Sequence, residues 1–242
     1  MKKLLKTRVR ISPRPPLYEN LDINNIVNPQ FFDLVKSVCS PITLIGETRL
    51  TANILTINYI LSKSLEGDVV EIGVWKGGSV VSMLMALKHY NNTSKHVHLY
   101  DTFEGMTEAT SLDVRWDGTS AEKLIKEDEE YWKCAIPLDE VKKNVSQIEY
   151  PPELVHYHKG DICQTQFVPD KISFLRLDTD WYESTKCELE MFYPKVVSGG
   201  MVIIDDYGFW RGCRKAVDEF LVDKPDIKII EIDYTCICFV KP

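Results

Sequence analysis

Residues 69–79 read Val69-Val70-Glu71-Ile72-Gly73-Val74-Trp75-Lys76-Gly77-Gly78-Ser79. A short apolar run ends in glycine, and a helix-spaced run from Val80 to His89 follows. Strand, glycine turn and helix in that order form the unit of a parallel sheet. The turn is not the GxGxxG of a dinucleotide site, nor does it have the Gly-Lys-Ser/Thr order of a Walker loop. Its glycines let backbone approach a ligand closely. Glu71 would repel a phosphate there, so a cationic or uncharged nucleoside suits the turn better.

The same unit recurs downstream. Val97 to Asp101 reads as a second strand, Val155 to Lys159 as a third (ending at Gly160-Asp161), and Ile172 to Leu177 as a fourth ending at Asp178. A helix pattern from Ser184 to Tyr193 closes on a turn at Ser198-Gly199-Gly200. Met201 to Ile204 reads as a fifth strand ending at Asp205-Asp206, followed by a helix from Arg211 to Leu221. Lys228–Ile232 and Cys236–Val240 complete seven strands. Only Asp233-Tyr234-Thr235 separates them, too short for a parallel crossover, so they pair antiparallel. The fold class is α/β: a seven-stranded, mainly parallel sheet with an antiparallel C-terminal hairpin. That is the layout of the Rossmann-like class I methyltransferase fold, which binds S-adenosylmethionine (SAM). Residues 1–242 read as a single domain. A basic, proline-rich arm (1–20) and helix patterns over 29–40 and 46–65 fill residues 1–66. An acidic insertion covers about 104–150, with a helix from Leu138 to Val145.

Composition excludes several classes. Apolar residues are 44% and charged residues 27%, ordinary for a globular chain. Lys+Arg is 29 against Asp+Glu 36, a net charge of -7, which argues against a nucleic-acid coat. No run approaches the roughly 18 apolar residues of a membrane span, and the N-terminus lacks the apolar core of a secretory signal. A cytoplasmic location is expected. The 7 cysteines form no CxxC pair and read as reduced thiols, with Cys236 and Cys238 as small core residues on one strand face. His156 and His158 alternate on the third strand and read as core or edge residues.

Ligands of open α/β sheets bind beyond the carboxyl ends of the strands. Those ends carry Glu71, Asp101, Asp161, Asp178, Asp180, Asp205 and Asp206. Gathering like charges is costly unless a cation or a ligand rich in hydroxyl donors compensates. Asp101 sits where such folds place an acid against ribose hydroxyls. Strands lie about 4.8 Å apart. Asp178, Asp205 and Asp206 on neighbouring strands can therefore surround one small ion. Oxygen ligands without clustered His or Cys select Mg²⁺ first, then Mn²⁺ or Ca²⁺. Asp180 stands two residues on, where it could take a substrate proton. Spacing alone does not fix which acid is ligand and which is base. Trp181, Tyr182, Tyr207 and Trp210 flank the acids and are candidates for the apolar face of a sugar site.

Asp101-Thr-Phe-Glu-Gly-Met106, Leu177-Asp-Thr-Asp-Trp-Tyr-Glu-Ser-Thr185, Ser198-Gly-Gly200, Ile203-Ile-Asp-Asp-Tyr-Gly208 and Arg214-Lys-Ala-Val-Asp-Glu-Phe220 occur in order. Together they resemble the macrocin O-methyltransferase (TylF-like) family, from about Ile45 to Phe220. The resemblance implies a SAM- and Mg²⁺-dependent enzyme that methylates a sugar hydroxyl, commonly as a homo-oligomer. It implies Asp178, Asp205 and Asp206 as metal ligands and Asp180 as general base. It implies cofactor contacts from Arg49, Glu71, Gly73, Ser79, Asp101, Phe103, Gly105, Asp161 and Ile162. Gly46-Glu-Thr-Arg-Leu50 matches the family's region before the first core helix, over the cofactor. The expected partner is a small-molecule sugar or glycoside, with no nucleic acid. Three rivals stand beside this: a nucleotide-sugar glycosyltransferase using Asp178-Thr-Asp180 as a DxD triplet, a catechol-type methyltransferase, and a SAM-binding module without catalysis.

Overall fold

The computed structural model describes residues 27–242, so the basic arm lies outside the described residues. Along the chain run α1 (Pro29–Cys39), α2 (Glu47–Ser62), β1 (Asp68–Ile72), α3 (Gly78–His89) and β2 (Val97–Asp101). The insertion contributes α4 (Ala121–Glu127), α5 (Glu129–Lys133) and α6 (Leu138–Val145). Then come β3 (Val155–Lys159), β4 (Ile172–Leu177), α7 (Tyr182–Met191), β5 (Val196–Ile204), α8 (Arg211–Leu221), β6 (Ile230–Glu231) and β7 (Ile237–Val240).

The seven strands form one sheet in the order β3-β2-β1-β4-β5-β7-β6. The pairs β1–β2, β1–β4, β2–β3 and β4–β5 are parallel, while β5–β7 and β6–β7 are antiparallel. This is the class I SAM methyltransferase sheet that the strand pattern predicts. The order reverses at β1 and β4: chain entering from β1 goes left, and chain from β4 goes right. Such a switch point opens a crevice at the carboxyl ends of the two strands.

Alternate strand residues feed two apolar layers. Val69, Leu99, Phe174 and Ile203 pack with Leu50, Ile54 and Ile57 of α2 and Val80, Val81 and Leu84 of α3. Val70, Ile72, Leu175 and Leu177 pack on the other face with Leu189, Phe192 and Val217, under α7 and α8. α1 starts where Asn28 accepts the N–H groups of Gln30 and Phe31, with Pro29 in the first turn. No helix among the described residues is long and apolar enough to cross a membrane.

Three expectations need correction. Ser198-Gly199-Gly200 is not a turn before the fifth strand but lies within β5. The register against β4 jumps from Ile172↔Val196 to Phe174↔Met201, and Gly199 at φ +81° takes up the irregularity. The predicted strand 228–232 shrinks to Ile230–Glu231 at the sheet edge. Finally, Cys163 and Cys187 form a disulfide, so these two are not reduced thiols. The turn after β3 docks on α7 and brings their Cα atoms to 5.3 Å, within bridging range. Cys236 and Cys238 are buried free thiols, as expected.

Candidate active site

The crevice at the β1/β4 switch point is a cavity of about 250 Å³. All seven carboxylates from the strand ends line it: Glu71, Asp101, Asp161, Asp178, Asp180, Asp205 and Asp206. Parallel strands put every carboxyl end on the same edge, so residues far apart in sequence converge there.

The glycine turn forms one wall. Gly73 has φ +82°, and a Cβ at this position would lie 2.0 Å from the Asp178 carbonyl oxygen. Only glycine lets β1 and β4 end so close together. Asp101 fastens the turn from β2. Its Oδ2 accepts the N–H groups of Val74 (2.7 Å) and Trp75 (3.2 Å), and its Oδ1 accepts that of Phe103 at 2.7 Å. Asp161 is held at the far end by the N–H of Cys163, 2.9 Å away.

The opposite end is ionic. Asp178, Asp205 and Asp206 each offer a carboxylate oxygen, and these oxygens lie within 4.8 Å of one another. Burial first, then the neighbouring Asp205 carboxylate, pushes Asp178 well above the usual carboxylate range. Burial and Asp180 do the same to Asp206. Asp180 is raised by burial to about 7. It sits in the left-handed region at φ 70°, and its Oδ2 accepts the Trp210 indole N–H at 3.0 Å.

Two arginines partly balance this charge. Arg176 on β4 is fully buried. Its Nε donates to Glu71 Oε1 at 2.8 Å, and its Nη2 bonds Asp178 Oδ2 at 3.0 Å and also Asp205. Register places Arg176 beside Glu71 on β1. Arg49, at the start of α2, reaches across the cavity mouth to Asp205, Thr235 and Asp233, with 2.7 Å from its Nε to Asp233 Oδ2. Two buried polar atoms at this end have no hydrogen-bond partner among the described residues, Glu71 Oε2 and Arg176 Nη1. Burial lifts Glu71 to about 7.

These observations meet the demands of both expected ligands. Three clustered oxygens without nitrogen or sulfur donors match a hard divalent ion. The glycine turn, the unpartnered Glu71 oxygen and the acids of β2 and β3 match a cationic, phosphate-free nucleoside.

Of the expected site residues, Arg49, Gly73, Ser79, Gly105 and Ile162 line the cavity together with the seven acids. Phe103 does not: it is 4% exposed and packs in the core. The aromatic quartet also departs from expectation. Trp181 and Trp210 are 2% and 1% exposed, their rings 4.9 Å apart, and neither they nor Tyr182 and Tyr207 line the cavity. Trp181, Tyr182 and Trp210 are buried, and Tyr207, half-buried, donates its hydroxyl to Asp218. The apolar lining includes Ile42, Leu44, Ile45, Met106 and Cys134, and its aromatic members are Trp75 and Tyr100. Arg176 was missed, although one arginine inside Ile172-Ser-Phe-Leu-Arg-Leu177 is a signal, because a buried strand excludes an unpaired charge. No spacing rule marks residues 42–45 or Cys134.

The sequence profile of the family described as Macrocin-O-methyltransferase (TylF) matches residues 38–241. The chain belongs to that family. It is 33% identical over 182 residues to the 8-demethyl-8-(2,3-dimethoxy-alpha-L-rhamnosyl)-tetracenomycin-C 4'-O-methyltransferase of Streptomyces olivaceus, covering 74% of this chain and 67% of that protein. It is 32% identical over 195 residues to the Mycinamicin III 3''-O-methyltransferase of Micromonospora griseorubida, covering 79% and 75%. Among solved structures, the O-methyltransferase NovP superposes with a TM-score of 0.77 at 26% identity, covering 88% of this chain and 98% of that one. Calicheamicin methyltransferase CalS11, at 16% identity and a TM-score of 0.61, shares the fold. As a member of this family the chain is an O-methyltransferase with SAM as methyl donor. That sets aside the glycosyltransferase and the non-catalytic rivals.

Proposed function

We propose that this protein transfers the methyl group of SAM to a sugar hydroxyl with the help of Mg²⁺, working as one catalytic domain. What carries the proposal is the placement of three carboxylate oxygens within 4.8 Å of one another in the cavity that the glycine turn also lines. A relative whose name specifies 4'-O-methylation of a rhamnosyl-tetracenomycin supports the acceptor class.

When bound, SAM supplies an electrophilic methyl group and Mg²⁺ a Lewis acid beside the acceptor hydroxyl. Asp178, Asp205 and Asp206 would hold the ion. Glu71, Gly73, Ser79, Asp101, Asp161 and Ile162 would seat the donor. Asp180 takes the proton of the acceptor hydroxyl. Its Oδ2 is fixed by the Trp210 indole N–H, and its carboxyl also hydrogen-bonds that of Asp206. Arg176 keeps the buried acids from repelling one another apart. Ile42 to Ile45 and Arg49 cover the cavity mouth and limit water. The chain's main contribution is orientation of two reactants.

Calorimetry and turnover together test the proposal. Asp205→Asn should abolish methyl transfer while S-adenosylhomocysteine still binds. Full turnover of that variant, or of the wild type in excess chelator, removes the metal role. The family's tendency to oligomerise extends to this chain as a homo-oligomer, measurable by light scattering.

A further inference from the structure

Away from the active site, two His-x-His triplets meet on one face of the sheet edge. His96 and His98 come from the start of β2, and His156 and His158 from β3. Parallel register sets His98 against His156, and Tyr100 against His158. The imidazoles form two layers. In one, His96 Nδ1 lies 2.7 Å from His156 Nε2. In the other, His98 Nδ1 lies 3.0 Å from His158 Nε2, and His98 Nε2 lies 3.1 Å from Asp68 Oδ2 at the start of β1. The layers stack, with the His98 and His156 rings 4.6 Å apart. Tyr100 and Phe167 stack on either side of His158, at 4.2 Å and 5.2 Å. Asp68, the four histidines and Phe167 line a groove of about 430 Å³.

We propose that this groove is a binding site for one borderline divalent ion, Zn²⁺, Ni²⁺ or Cu²⁺, ligated by His98 Nδ1 and His158 Nε2. Imidazole nitrogens select such ions over Mg²⁺. Zn–N bonds of about 2.0–2.1 Å place two nitrogens of a tetrahedral ion roughly 3.3 Å apart, close to the bite found here. Asp68 supplies the usual outer partner of a ligating histidine. By accepting the Nε2 proton of His98 it fixes the tautomer and presents the Nδ1 lone pair to the groove. The ion takes the place of the shared N–H, and the proton of His158 moves to Nδ1 through solvent. Water completes the coordination. None of these groups belongs to the acidic cavity.

Chelator-stripped protein should be titrated with Zn²⁺ by calorimetry in excess Mg²⁺. The expected result is one bound ion that Mg²⁺ does not displace. His158→Phe keeps the stack on Tyr100 and Phe167 and should weaken binding at least about tenfold. Asp205→Asn should leave it unchanged. Equal binding by wild type and His158→Phe, or a loss that follows Asp205→Asn, overturns the site. A second readout needs no variant. In ¹⁵N-labelled wild type, Zn²⁺ should move the ring-nitrogen resonances of His98 and His158 but not those of His89. Unmoved His98 and His158 signals overturn the site equally.

Discussion

Arg176 has no solvent and three carboxylate partners, Glu71, Asp178 and Asp205. Removing one member of a buried ionic group leaves the others uncompensated. Arg176→Met should therefore lower unfolding stability by about 3–5 kcal/mol, read from chemical denaturation. A loss under about 1 kcal/mol would mean the acids are protonated and need no counter-charge. Asp180 belongs to the chemistry instead. Asp180→Asn keeps size and the bond from Trp210, so turnover should fall about 10²–10⁴-fold with SAM affinity kept. An unchanged rate removes it as base. The seven acids were legible residue by residue, because each lies at or just beyond the carboxyl end of a readable strand. Phe103, Trp181, Tyr182 and Trp210 misled for one reason. Sequence neighbours of a strand end alternate in direction, and apolar side chains next to the acids turn into the core. Arg49 was legible as a site residue. Its pairing with Asp233 and Thr235 was not, because those partners lie 184 and 186 residues away.

The β1–α3 turn is the element that fixes the cavity's shape. Gly73→Ala adds a Cβ 2.0 Å from a backbone carbonyl and forces a left-handed conformation. The backbone strain alone costs about 1–3 kcal/mol. The variant should lose both thermal stability and S-adenosylhomocysteine affinity by calorimetry, and wild-type values for both would contradict the close approach of β1 and β4. The β2–β3 edge carries a pH dependence. Unfolded His158 titrates near 6.5, while the folded ring stays neutral down to about 4. The unfolded chain thus binds more protons in that window, and stability falls as pH drops from about 6.5 toward 4. In metal-free protein, His158→Phe should flatten that part of the denaturation-midpoint profile; a profile identical to wild type would mean the ring is not held neutral. Strands β1, β4 and β5 were legible because parallel strands buried on both faces read as nearly continuous apolar runs, while β3, at the sheet edge, is Val-His-Tyr-His-Lys and only half-buried. The bulge at 198–200 was not, since glycine pairs mark turns and strand irregularities alike. Helices α4 and α5 were hidden in a charged stretch, where apolar periodicity is weak. The Cys163–Cys187 bridge depends on how the turn after β3 meets α7, which no spacing encodes.

At the scale of the whole molecule, topology does the gathering. Strand order 3-2-1-4-5-7-6 reverses between β1 and β4, so acids from five strands share one edge. The glycine turn, with Gly73 and Asp101, and the acidic cluster of Asp178, Asp205 and Asp206 then line one cavity. Methylation needs both at once: an electrophilic methyl group on one side and an oriented, deprotonating hydroxyl on the other. The most direct test follows methyl transfer from isotopically labelled SAM to a panel of deoxysugar glycosides, with Mg²⁺ and again after chelation. Labelled methyl on a sugar oxygen, present with Mg²⁺, abolished by chelator and restored when Mg²⁺ is returned, is the predicted result. Undiminished transfer in chelator, or label found only on a non-sugar acceptor, would contradict the account.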